Sequence, residues 1–206
     1  MGKGRIEAFS DGVLAIIITI MVLEMKTPAG VRLSALRPLA PVFLSYALSY
    51  LYIGIYWNNH HHMLYVTRRI SGGVMWANLH LLFWLSLVPF VTRWMGDSHF
   101  APGPTMLYGA ILLLAGFAYW LLQRAILLAE GASSTLGTAV GRDRKTKVSL
   151  LLYAVAIPLA IVQPWIAGVI YGVCALLWVV PDRRIERELS RAAPIHGAGA
   201  DHTIDA

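Results

Sequence analysis

Few side chains in this sequence could do chemistry, and they lie where polar groups are costly. The first apolar run carries Glu7, Ser10 and Asp11, followed by an apolar stretch from Val13 to Met21 with Thr19 inside it. A carboxylate facing lipid at that depth costs about 2.5–3.5 kcal/mol on insertion scales, so Asp11 is expected to be wrapped by protein or to line water. Two chemistries suit it there, contact with an ion or a structural hydrogen bond. The run His60, His61, His62 invites a metal. Successive helical side chains diverge by about 100°, however, and no Cys, Asp or Glu stands at ligand spacing nearby, so no metal site is expected. The single cysteine, Cys174, excludes an intramolecular disulfide framework and a zinc site of paired thiolates. An enzyme would need a converging cluster, and only Asp11, His61 and Asn78 are available. A His–Asp pair serves equally well as a structural hydrogen bond, so no catalytic residue and no enzymatic activity are expected.

Helical periodicity orders the first run further. At about 100° per residue, Ile16, Ile20 and Leu23 share one stripe, which extends back to Gly12, Phe9 and Arg5, with Thr19 at its edge. Ser10 and Asp11 point away from it, toward where neighbouring helices would pack. Such a stripe is either ordinary core packing or an exposed lining. The Thr19 hydroxyl either faces the same space as Ile16 or bonds a backbone carbonyl one turn back.

The elements that must position these residues follow from composition. Of 206 residues, 57% are hydrophobic and 14% charged, with a mean hydropathy of +0.61. A soluble domain carries about 25% charged residues, so this chain has too little polar surface for water and is read as a membrane protein. The net charge of +6 does not point to nucleic acid, because the basic residues sit in gaps between apolar runs. Six runs of spanning length appear, at Ile6–Met25, Leu39–His60, Val74–Met95, Thr105–Ala129, Val148–Val162 and Trp165–Val180. The last two, parted by Gln163 and Pro164, predict a tight hairpin. Strands are not expected, since no alternating ten-residue pattern recurs. The fold class is therefore all-α, a polytopic membrane protein with six transmembrane helices.

With the amino terminus inside, the cytoplasmic segments hold Lys3, Arg5, Arg68, Arg69, Arg142, Arg144, Lys145, Lys147, Arg183, Arg184, Arg187 and Arg191. Outside stand Lys26, Arg32, Arg37 and Arg93. That bias places both termini in the cytoplasm. Asp11 interrupts the first run and no small-residue cleavage site follows, so the run is not expected to be a cleaved signal peptide. Residues 1–182 form one six-helix unit, and residues 183–206 a basic helix end with a small, polar tail. His80 reads as a satisfied core histidine, and Arg124 as snorkelling or pairing with Glu130. Trp57, Tyr65, Trp94, Tyr108 and Trp165 read as interfacial aromatics.

The opening Arg5-Ile6-Glu7-Ala8-Phe9-Ser10-Asp11-Gly12-Val13, followed by Ala15-Ile16 and Thr19, resembles the signature of the first helix in the transmembrane protein 175 family of potassium channels. Trp57 with His61, and Asn78 with Pro89-Phe90, extend the resemblance. It implies a potassium-selective cation channel whose pore is lined by the first helix of each six-span repeat. A one-repeat chain is similar to the bacterial members, which implies a homotetramer in the bacterial inner membrane. It also implies a pore constriction at Ile16, with further apolar rings at Ile20 and Leu23 and with Thr19 adjacent. Arg5, Ser10, Asp11, Trp57, His61 and Asn78 would form a structural hydrogen-bond network. The expected partners are the chain's own copies and the lipid bilayer. No nucleic acid, small-molecule substrate or cofactor is implied, and the permeant is potassium ion. The alternative reading is a secondary transporter of a cation or small solute, a class that usually shows an internal repeat with paired broken helices.

Overall fold

The computed structural model describes residues 2–130 and 144–179, and among them the chain is entirely helical. Helix α1 spans Lys3–Leu23, α2 Ala40–Val66, α3 Gly72–Ser86, α4 Val88–Asp97, α5 Pro102–Glu130, α6 Arg144–Val162 and α7 Pro164–Val179. A short 3-10 segment, Leu33–Leu39, leads into α2. The predicted tail at 183–206, with Arg183, Arg184, Arg187 and Arg191, lies outside the described residues, as does Arg142.

These seven helices make six apolar elements, because α3 and α4 are one broken span. The break at Leu87 has a chemical cause. Pro89 has no N–H to return to Leu85, and its ring crowds the preceding turn. Five elements are long and apolar enough to cross a bilayer, and the sixth, α7, is a shorter apolar helix of 16 residues. The α6–α7 hairpin turns on Gln163 alone, whose N–H still bonds the Leu159 carbonyl at 2.8 Å.

Helix α5 is the central post. Its stripe Tyr108, Leu112, Ala115, Ala118, Leu122 and Ile126 is fully buried against α3, α4, α6 and α7. Small residues let the backbones approach, as expected where lipid supplies no hydrophobic drive and packing decides. A Cβ on Gly109 would stand 2.0 Å from the Tyr171 hydroxyl, and one on Gly96 would stand 2.8 Å from the Val42 Cα. Several polar groups in this interior are paired, with Ser49 meeting Thr92 at 2.6 Å and Tyr108 at 3.0 Å. Tyr108 is therefore a core residue, not the interfacial aromatic its place near a span end suggested. Trp57, Tyr65, Trp94 and Trp165 are exposed, as interfacial side chains would be.

Polar contacts tie the helices at both ends of the bundle. At one end, Lys3 on α1 donates to the Tyr65 carbonyl at the end of α2. There too, Glu130 at the end of α5 accepts from the backbone N–H groups of Arg68 and Arg69. At the other end, Arg93 stands 3.9 Å from Glu24 and 3.7 Å from Asp97. Arg124 lies over the Trp120 ring, 5.3 Å from its centroid, and not on Glu130.

Candidate functional site

Helix α1 has two faces. Ile6, Ser10, Leu14, Ile17 and Met21, spaced three or four apart, are buried against α2, α3 and α4. The stripe of Ile16, Ile20 and Leu23 is 58%, 41% and 81% exposed, and Phe9 shares it. This stripe is not core packing within the protomer. From Gly12 to Leu23 it carries no charge, and the Thr19 hydroxyl at its edge donates to the Ile16 carbonyl at 2.8 Å. The surface offers a cation van der Waals contact and no side-chain oxygen free of the helix's own backbone.

The buried face is held by a polar relay. Ser10 Oγ donates to the Ile6 carbonyl at 2.8 Å and accepts from Asn78 Nδ2 at 2.9 Å. Asn78 Oδ1 lies 2.7 Å from His60 Nε2. A carbonyl oxygen only accepts, so the imidazole donates from Nε2. Ser10, Asn78 and His60 are all buried, and each belongs to a different helix, so the relay joins α1 to α3 and α2. One residue further along α1, Asp11 Oδ1 accepts from Trp57 Nε1 at 3.0 Å. Buried polar groups at membrane depth need such partners, and here they obtain them from neighbouring helices.

The geometry revises two assignments. The histidine on Asn78 is His60, not His61. Neighbouring side chains on a helix diverge by about 100°, so only one of three successive histidines can face Asn78. His60 shares the buried side of α2 with Ile53 and Leu64. His61 instead lies on the exposed side, stacked on Trp57 one turn earlier at 6.1 Å between ring centroids and 23° between planes. Arg5 also stands apart from the relay. It is exposed on the Phe9 side of α1, about 140° around the helix from Ser10. No side-chain hydrogen bond or ion pair joins it to the described residues.

Sequence reasoning missed the contact of Lys3 with the Tyr65 carbonyl, reinforced by the ammonium 5.3 Å from the Tyr65 ring centroid. A lysine at a helix start carries no signal of such a distant partner. His80 accepts from Trp84 Nε1 at 2.9 Å, one turn along the same helix, and so is satisfied locally.

The profile of the family described as endosomal/lysosomal potassium channel TMEM175 matches residues 5–89. That range runs from the first turn of α1 to the start of α4 and so contains the whole relay. A potassium channel of Chryseobacterium sp. (strain P1-3) is 49% identical over 189 residues, covering 92% of this chain and 98% of that one. A potassium channel of Streptomyces collinus is 36% identical over 129 residues, covering 57% and 63%. The crystal structure of a lysosomal potassium-selective channel TMEM175 homolog from Chamaesiphon minutus superimposes with a TM-score of 0.76. That structure is 28% identical, over 86% of this chain and 96% of the other. With near full-length identity of this order, a matching family profile and an all-helical membrane fold, this chain belongs to the TMEM175 family of ion channels.

Proposed function

We propose that this protein is a potassium-selective cation channel of a bacterial inner membrane, formed by four copies whose α1 helices enclose the pore. The observation that carries this reading is the exposure of Ile16, Ile20 and Leu23 on a helix whose opposite face is fully packed. The naming of the bacterial relatives as potassium channels supports it.

In this arrangement the four Ile16 side chains form the constriction, with Ile20 and Leu23 as wider rings along the axis. A narrow hydrocarbon ring excludes water, and an ion cannot exchange its hydration shell for hydrocarbon, so conduction stops. A slightly wider ring passes partly dehydrated ions. Potassium holds its water less tightly than sodium, so the ring favours it without coordinating it, and selectivity is modest. The Ser10–Asn78–His60 relay and the Trp57–Asp11 bond act as scaffold, fixing the rotation of α1 so that the apolar stripe faces the axis. Both termini are cytoplasmic in this reading. The basic residues at the Lys3 end of the bundle then meet the inner leaflet.

Gradient-driven flux into liposomes tests the proposal. Purified protein should pass potassium faster than a carrier turns over, and Ile16→Asn should wet the constriction and raise sodium permeability. The same preparation, cross-linked in mild detergent, should give a ladder ending at four copies. Strict coupling of potassium to a second solute would overturn the channel, and unchanged selectivity in Ile16→Asn would overturn the filter.

A further inference from the structure

We infer that the α2–α3 turn is a binding site for the phosphate of an acidic phospholipid, built on Arg68 and Arg69, with Trp76 following one turn into α3. The inference rests on the membrane fold and is independent of which ion permeates.

Three observations combine. Arg68 and Arg69 are exposed, and neither side chain has a hydrogen bond or ion pair among the described residues. The described carboxylates at this end of the bundle are all engaged elsewhere. Glu7 faces Lys3 at 4.0 Å, Asp11 accepts from Trp57, and Glu130 accepts from the backbone N–H groups of Arg68 and Arg69. That last contact fixes the turn through its backbone, and among the described residues neither guanidinium group has an anionic partner. At the opposite end Arg93 has two carboxylates beside it, Glu24 and Asp97, so its need is met within the chain.

Trp76 selects the kind of anion. It is 75% exposed and stands one turn into α3, where an indole belongs at the lipid–water boundary. An anion held between that boundary and the two arginines would carry acyl chains. Guanidinium suits phosphate oxygens through paired N–H donors, and it keeps its charge at any physiological pH.

The test is lipid retention by the detergent-purified full chain, read by native mass spectrometry with phosphatidylglycerol and phosphatidylcholine offered together. Phosphatidylglycerol should be retained in preference. The double variant R68Q/R69Q should weaken that retention roughly thirty-fold, from about 1 kcal/mol per basic residue near an anionic surface. R32Q/R37Q, at the other end of the bundle, should leave it unchanged. Equal retention of the two lipids, equal loss in both double variants, or full displacement by millimolar inorganic phosphate would each overturn the site. A second measurement serves if R68Q/R69Q fails to fold. Brominated phosphatidylglycerol should quench the fluorescence that the wild type has and Trp76→Phe lacks, and brominated phosphatidylcholine should quench it less. Equal quenching by the two lipids would count against the proposal.

Discussion

The two faces of α1 are close in composition and opposite in circumstance. One carries Ile6, Leu14, Ile17 and Met21, the other Phe9, Ile16, Ile20 and Leu23, and a hydropathy scale hardly distinguishes them. The first is sealed against α2, α3 and α4, and the second has no partner in the protomer. In water the second face would be a liability. In a bilayer, lipid tails are as apolar as leucine, so hydrophobicity does not orient a spanning helix. Orientation falls to shape and hydrogen bonds, and here to the one polar residue on the packed face, Ser10, with Asp11 beside it.

Substitutions can break or sharpen this contrast. The largest loss of stability is expected for Leu14→Ala, which opens a void where Leu14 is buried. About 2 kcal/mol is expected in detergent unfolding, the low end of the soluble range, because transfer to an apolar solvent contributes little. Asn78→Ala should cost about 1 kcal/mol by leaving the buried His60 donor unmatched, read by the same melt. Ile16→Ala should fall within about 0.5 kcal/mol of wild type, as surface substitutions do. A loss for Ile16→Ala equal to that of Leu14→Ala would show both faces packed and end the contrast.

Much of this architecture was legible beforehand, for a simple reason. A run of about 20 apolar residues has few uses outside a membrane, so the six elements follow from composition. The outward turn of the Ile16 stripe relative to Ser10 also followed from helical periodicity. Whether that stripe had a partner did not, because periodicity gives direction and never neighbours. Sequence does not separate His60 from His61, because three identical side chains in succession offer every direction at once, and only Asn78 on another helix chooses among them. The place of Tyr108 is ambiguous in sequence, because a tyrosine near a span end suits both water and a buried hydroxyl, and Ser49 decides in favour of burial. The grip of Glu130 on two backbone N–H groups 61 and 62 residues away leaves no trace in side-chain types.

The polar ties of α1 to its neighbours are confined to particular depths, with mechanical results. Between Asp11 and Glu24, among the described residues, no side-chain hydrogen bond joins α1 to another helix. The helix is thus tied by polar contacts near Ser10 and Asp11 and again at Glu24, beside Arg93, with van der Waals contact alone between them. At 1.5 Å per residue, Ile16 lies about 9 Å from Ser10 along the helix and Leu23 about 20 Å. Leu23 thus sits beside the second tie, and Ile16, between the two, lies on the stretch whose position only side-chain packing sets.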